Sequence, residues 1–307
     1  AMGAGSINAE FPVYFCDKCN KPTIFPVCDK CNSKARKMRY CRECGLLNLP
    51  CKKHKNNDSS YMRQDLDIKK HFAHALKHLG LKVFPDLIKG VRGTSNREHI
   101  PENLAKGILR AKHGLTVNKD GTIRFDMTQM PITHFKPKEI HTSIENLKRL
   151  GYEKDINGKD LTNSDQILEI KPQDIILPKC IGAGGDGADE VFFHTTKFVD
   201  ELLERFYKMK PHFNLGSKDE LVGNLLLVLA PHTSAAILGR IIGFFDGQGL
   251  LAHPYIHAAT RRDCDGDEAC VMLALDAFLN FSRQYLPAHR GGHSRCSISY
   301  DFKIESK

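Results

Sequence analysis

Two groups of residues in this chain have the types and spacing of metal ligands. The first lies in the stretch HPYIHAATRRDCDGD, where Asp263, Asp265 and Asp267 alternate directly after Arg261 and Arg262. In an extended or turning segment alternate side chains project to one side, and Gly266 lets the backbone fold tightly between the last two carboxylates. Hard oxygen ligands of this kind suit Mg²⁺, which keeps waters that substrate phosphates can displace. A pair of such ions can bridge an attacking hydroxyl and a leaving pyrophosphate, and the two arginines stand ready to neutralise phosphate charge. A calcium-binding loop is excluded: Glu268 occupies the position where that loop needs glycine, and Ala274 the position of its bidentate glutamate.

The second group is a set of four knuckles: Cys16-x2-Cys19, Cys28-x2-Cys31, Cys41-x2-Cys44 and Cys51-x2-His54. Two residues between ligands let a tight turn aim both donors at one ion, and four thiolate or imidazole donors close a structural zinc site. Eight ligands in four pairs make two Zn²⁺ sites. Sequential pairing is the simplest, and an interleaved cross-brace would use the same residues. From Cys16 to Lys55 there are eleven Lys or Arg against three acidic residues, with no helical periodicity. Such a segment buries little apolar surface, so metal must hold it, and its basic residues favour a phosphate backbone as partner. A redox role is excluded because no βαβ pattern surrounds these cysteines.

The elements that must position these groups are legible in part. The rhythm of Leu66, Phe72, Ala75, Leu76 and Leu79 predicts a helix over 65–81, ended by Gly80, and a second helix is expected over 101–113 with Pro101 at its start. Residues 115–117 and 122–125, around Asn118-Lys119-Asp120-Gly121, read as a hairpin. Extended pieces are expected at 136–140 and 170–177, and a helix over 191–209. Buried apolar elements follow at 221–230 and 237–245, with strand-like residues over 250–258. Residues 268–286, apolar nearly all round, predict a buried helix that pins the aspartates to the core. The loop Gly182–Gly187 formally matches G-x-G-x-x-G, but Pro178 interrupts the preceding strand and no second parallel strand brings an acid to a ribose, so it reads as a flexible connector.

The totals bound the answer. A length of 307 residues suggests two domains with a smaller appendage, and 41% hydrophobic residues allow a sizeable core. The formal charge of +9 favours an anionic partner. No apolar run approaches the ~20 residues of a membrane span, and residues 1–10 lack the pattern of a signal peptide. Residues 1–6 (AMGAGS) read as a cloning remnant. Seven of the eleven cysteines lie between Cys16 and Cys51 in metal-ligand spacings, which predicts a reduced, cytoplasmic protein.

Several longer runs carry a resemblance. LAPHTSAAILGRIIGF (229–244), AHPYIHAATRRDCDGDE (252–268) and VMLALDAFLNFSRQYLPAHRGG (271–292) resemble the large, catalytic subunit of the archaeal D-family DNA polymerase. LIKGVRG (87–93), LAKGILRAKHGLTVNKDGTIRFDMTQMPITHFKPKEI (104–140) and KPQDI (171–175) are similar to the same family, and the knuckles fit its zinc-binding insert. The match runs from about Val13 to Gly292. It implies an α+β, mainly β fold of two double-psi β-barrels with an N-terminal zinc-binding module and connecting helices. The zinc module would span 11–60, the first barrel 61–178, a Gly-rich linker and helix 179–219, and the second barrel 220–307.

The resemblance also implies DNA-directed DNA synthesis in replication, with two Mg²⁺ and nucleotidyl transfer to a primer 3′-hydroxyl. Its catalytic aspartates match Asp265 and Asp267; Asp263, where the family usually has Asn, would add a third ligand. Lys106, Arg110 and Lys112 are the candidates for basic residues supplied by the first barrel. His232, Arg240, His253 and His257 lie in matched segments and would contact nucleotide or template, as would Arg261 and Arg262. Primer–template DNA and deoxynucleoside triphosphates are the expected partners, joined in the full-length family by a small exonuclease subunit and a sliding clamp. After Gly292 the sequence HSRCSISYDFKIESK leaves the family pattern, and Ala269 and Cys270 replace a pair that is usually more acidic. The alternative is a non-catalytic, zinc-stabilised fragment or relative that only binds nucleic acid.

Overall fold

A cysteine-rich segment with little apolar surface can form only short strands, and it does so here. The computed structural model describes residues 5–28, 30–31, 33–54, 57–82, 88, 90–91, 97, 99–181, 184–230, 236–263 and 265–282. The chain divides into two units, Ala1–Asp120 with Glu201–Lys210, and Gly121–Asp200 with Pro211–Lys307.

In the first unit β1 (Ser6–Pro12) pairs antiparallel along its whole length with β8 (Tyr61–Asp67), closing the two ends of the knuckle region against each other. Between them lie two three-stranded sheets. β2 (Tyr14–Cys16) sits between β3 (Lys21–Thr23) and β4 (Arg36–Lys37), and β5 (Arg39–Cys41) between β6 (Gly45–Leu47) and β7 (Asp58–Ser59). The helix expected over 65–81 forms as α1 (Ile68–Leu79). The Asp67 side chain accepts from the Lys70 N–H at its start, and Gly80, at φ 65°, closes its end. Its buried residues, Phe72, Ala75 and Leu79, follow the helical period. α2 (Leu104–Lys112) starts later than Pro101 because Asn103 supplies the cap, accepting from the Ala105 N–H.

The second unit is built on a closed barrel of six strands in the order β12-β14-β13-β16-β9-β15. These are β9 (Phe125–Pro131), β12 (Asp174–Pro178), β13 (Leu225–Leu229), β14 (Ile237–Phe245), β15 (Leu250–Ala252) and β16 (Glu268–Leu273). β12 runs parallel to β14 and β15 parallel to β9; the remaining neighbours are antiparallel. A minor pair, β10 (His134–Phe135) and β11 (Leu168–Glu169), stands outside it. Alternating side chains explain why β12 is buried throughout. Ile175 and Leu177 enter the barrel core with Leu226, Ile241 and Val271, whereas Ile176 and Ile242 join Phe135, Ile140, Leu147 and Leu168 in a second apolar cluster. Gly243 permits that close approach: a Cβ there would lie 2.6 Å from the Ile140 carbonyl oxygen. The helices of this unit are α3 (Ile144–Arg149), α4 (Ala188–Glu201, its last residue counted with the first unit), α5 (Pro254–Ala259) and α6 (Ala274–Asn280), while the π-helical stretch Leu202–Tyr207 belongs to the first unit.

Several expectations are corrected. The mainly β expectation holds, but the one closed barrel among the described residues draws β9 and β12 from the span expected to form a separate first barrel. No hairpin forms at 115–125, because β9 pairs with β15 and β16 instead. Pro137–Ile140 is a 3₁₀ turn and not an extended piece, and Pro254–Ala259 is a helix where strand was expected. The predicted helix over 268–286 is strand over its first six residues. Ala269, Val271 and Leu273 face the barrel core, while Cys270 and Met272 pack outside it with Ala277, so both faces are apolar for the reason a buried strand requires. The segment after 282 and part of the Gly-rich connector (182–183) lie outside the described residues.

Candidate active site and zinc centres

The knuckles resolve into two clusters, Cys16, Cys19, Cys28 and Cys31, and Cys41, Cys44, Cys51 and His54, each with its donor atoms within 4.8 Å of one another. The pairing is therefore sequential, and the cross-brace is excluded. Cys16 Sγ lies 3.4 Å from Cys31 Sγ, and Cys28 Sγ 3.9 Å from Cys19 Sγ. In the second cluster the Nδ1 of His54 lies 3.3 Å from Cys44 Sγ and 3.8 Å from those of Cys41 and Cys51. A tetrahedral ion with metal–sulfur bonds of about 2.3 Å sets donor–donor separations near 3.8 Å, so both clusters fit zinc.

Local sequence explains the shape. β2 delivers Cys16 and β5 delivers Cys41, each at a strand end. Asn20 and Gly45, the residues after the second ligand, take positive φ (52° and 79°) and turn the chain back. The Cys19 and His54 N–H groups donate to the sulfurs of Cys16 and Cys51. The Ser33 hydroxyl and N–H pull the Cys31 thiol down to about 6, and the His54 N–H draws Cys51 to about 7. In the same clusters the neighbouring Cys31 thiol pushes Cys19 up to about 12 and burial pushes Cys44 up to about 11, so only part of each donor set favours the thiolate form before a metal binds.

The carboxylate turn joins α5 to β16. Arg261, just past the end of α5, has φ 59° and Gly266 φ 106°; a side chain at either place pays for a left-handed backbone. Asp263 and Asp265 are exposed and Asp267 half-buried. Arg262 Nη2 lies 2.7 Å from Asp267 Oδ1. The three carboxylates do not converge as the thiolates do, since the cysteine sites are the only such groups among the described residues. Mg²⁺ takes one or two carboxylates and completes its octahedron from water and phosphate. An exposed, all-oxygen donor set fits that mode of binding.

Beneath the turn is a feature without a sequence signal. Gln129 on β9 is 1% exposed, and its backbone N–H donates to the Asp267 carbonyl at 2.8 Å. Its side-chain oxygen meets Nδ1 of His257, itself fully buried, at 2.6 Å. An amide oxygen only accepts, so Nδ1 carries the proton. The His257 carbonyl in turn accepts from the Thr260 hydroxyl and the Arg262 N–H. Burial pushes the His257 pKa down, so the ring is neutral near pH 7. His257, expected to contact nucleotide or template, is therefore placed in the interior with Gln129 as its partner.

The other expected site residues are placed as follows. Arg110 is 1% exposed, with Nη1 and Nη2 on the two Glu102 carboxylate oxygens at 2.8 and 2.6 Å. It is therefore an internal ion pair and no part of a basic surface. Lys112 lies on Glu201 Oε1 at 2.5 Å, and Lys106 stacks 5.7 Å over the Tyr207 ring. Arg240 forks onto Asp174 with two 2.8 Å bonds and reaches the Leu150 carbonyl, while Tyr152 donates to the same carboxylate at 2.6 Å. These bonds tie β12, β14 and the end of α3 together through a buried carboxylate, with the Arg240 side chain still 28% exposed. His253 caps α5, accepting from the Tyr255 N–H. His232 lies outside the described residues. Asp276, fully buried, was missed as well: it accepts from the Ile123 N–H and from Asn280, holding the entry to β9.

With this geometry in hand, comparison with known proteins is direct. The family model for the DNA polymerase II large subunit DP2, catalytic domain, matches residues 81–306. The DNA polymerase II large subunit of Archaeoglobus fulgidus is 48% identical over 290 residues, covering 94% of this chain and 25% of that protein. Those of Pyrococcus furiosus (45%, covering 92% and 21%) and Nanoarchaeum equitans (42%, covering 100% and 28%) are similar. The chain spans about a quarter of the length of these relatives. It belongs to the DNA polymerase II large subunit family, with residues 81–306 matching that family's catalytic domain.

Proposed function

We propose that this chain is the catalytic core of a DNA-directed DNA polymerase, transferring a deoxynucleotide to a primer 3′-hydroxyl. The observation that carries the proposal is the carboxylate turn Asp263–Asp267, braced from below by Gln129 and His257, in a chain of this family. Asp265 and Asp267 are the Mg²⁺ ligands, with Asp263 as a third. Two bound Mg²⁺ would supply Lewis-acid stabilisation of the attacking and leaving oxygens.

The protein's own groups do the rest. Arg262 neutralises Asp267 here, and with Asp267 holding a metal it would be available, together with Arg261, to triphosphate oxygens. The buried Gln129–His257 pair fixes the height of the Asp267 backbone, so its carboxylate needs little reorganisation when substrate arrives. The two cysteine clusters hold structural zinc. Lys106 and Lys112, partly exposed on α2, are secondary candidates for the nucleic-acid strand. The finer architecture belongs to the same proposal: the closed barrel is one double-psi β-barrel, and a second draws on the longer family protein. The small exonuclease subunit and the sliding clamp are partners of that longer protein.

Primer extension by this chain with Mg²⁺, comparing deoxynucleotides with ribonucleotides, tests the reading. Extension with deoxynucleotides is the expected result. No extension on any template, with duplex binding intact, would favour a non-catalytic nucleic-acid-binding fragment.

A further inference from the structure

Every knuckle in the first unit carries an exposed cation in its two-residue turn: Lys18, Lys30, Arg42, and Lys52 with Lys53. Lys21 on β3 and Lys37 on β4, the two edge strands of the first sheet, are exposed too, as is Lys34. Among the described residues of this segment, the ion pairs are Arg36 with Asp17 and Arg39 with Asp58; none involves these eight cations. Lysines beside thiolate clusters have an ordinary explanation, since a zinc with four thiolates carries two negative charges and one with three thiolates and a neutral histidine carries one. That explanation is too small. From Cys16 to Lys55, eleven cations face three acids, and the three further negative charges on the loaded zinc sites still leave five positive charges unbalanced. Each knuckle turn has a metal ligand before and after it, so zinc would fix the backbone points from which these cations project.

We propose that the knuckle tips form a binding surface for the phosphate backbone of duplex DNA, with Lys18, Lys30, Arg42, Lys52 and Lys53 as its contacts. The choice of duplex DNA rests on the polymerase reading; the cationic surface does not. The contacts are to phosphate and carry no base specificity. The surface acts as an electrostatic grip that holds the template–primer independently of the carboxylate turn.

The test is fluorescence anisotropy of the zinc-loaded full chain with a labelled primer–template duplex, without Mg²⁺ or nucleotide, between about 50 and 200 mM salt. The variant carries K18Q, K30Q, R42Q, K52Q and K53Q, and its zinc content and circular dichroism must match the parent. Its affinity is expected to fall at least ~10-fold, and the slope of log affinity against log salt to flatten by about 2 or more. A control removes as many exposed cations from the other unit, at Lys138, Lys148, Arg149, Lys154 and Lys159, and should change both quantities much less. Unchanged affinity and slope in the knuckle variant, or an equal loss in the control, would overturn the proposal, as would displacement of the duplex by polyglutamate at equal charge. Because no metal or nucleotide is present, Asp265→Asn should bind as the parent does. Loss of extension with binding kept in the parent chain would count against the polymerase reading alone.

Discussion

Nδ1 of His257 and the side-chain oxygen of Gln129 lie 2.6 Å apart in the interior of the barrel, and the Gln129 backbone also holds the Asp267 carbonyl. One buried residue on β9 therefore fixes both flanks of the carboxylate turn: the helix before it and the strand after it.

Replacing Gln129 by Leu leaves a buried N–H without an acceptor, which costs about 1–3 kcal/mol. Thermal unfolding should show that loss as a lower midpoint. Primer extension should fall through kcat more than through KM for DNA, because the turn is displaced and the DNA contacts are not. Gln129→Glu, which keeps an acceptor, should recover part of the rate. A Leu variant that is destabilised yet keeps full kcat would reduce the pair to a packing role.

The Arg240–Asp174–Tyr152 triad predicts a stability effect without a binding effect. Asp174 is 2% exposed, so Arg240→Met strands a buried carboxylate and should cost about 2–4 kcal/mol. Adding Asp174→Leu should return most of that stability, since a neutral interior needs no counter-ion. Duplex affinity, read by anisotropy, should stay near the parent value in the double variant. A marked loss there would restore Arg240 as a DNA contact.

Glu201 is one source of acid sensitivity in the first unit beside the zinc ligands. Burial would raise its pKa, but hydrogen bonds from His113 and Lys112 and the charge of Arg205 outweigh this and bring it to about 2. A depressed carboxylate contributes stability that is fully present above the unfolded value near 4.5 and is lost as pH falls towards 2. The contribution is on the order of 3 kcal/mol. Urea midpoints followed from pH 6 down to about 3 should therefore drop, and Glu201→Gln should flatten that dependence while lowering the plateau. An unchanged slope in the Gln variant would assign acid lability elsewhere.

Chelation should release two zinc equivalents and disorder the short sheets, because little apolar burial remains to hold them. Cys41→Ser should retain about one equivalent by metal analysis, whereas Cys180→Ser, far from both clusters in sequence, should keep both. Retention of both metals in Cys41→Ser would contradict the sequential pairing.

What the sequence revealed, and what it hid, follows from the range of the interactions involved. α1 was readable because its apolar period and terminating glycine lie close together in the chain, from Leu66 to Gly80. The zinc ligands were readable because their spacing is local, although their pairing needed the fold. The barrel was not, since β9 joins β15 and β16 across more than a hundred residues and no local pattern encodes that register. Residues 268–273 misled for a related reason: apolar on every side describes a buried helix and a strand between two cores equally well. The resemblance offered Arg110 as an active-site cation and Arg240 as a nucleotide or template contact, while their acidic partners, Glu102 and Asp174, become partners only on folding. Gln129 carried no signal at all, being a lone polar residue in a strand.

The most direct test of the carboxylate turn is primer extension by Asp265→Asn and Asp267→Asn beside the parent chain, with folding and duplex affinity checked in each. Both variants should lose extension by at least ~10²-fold while binding the duplex normally, because removing a metal-binding charge removes transition-state stabilisation and little else. Extension at the parent rate in either variant would show that this turn does not carry the chemistry.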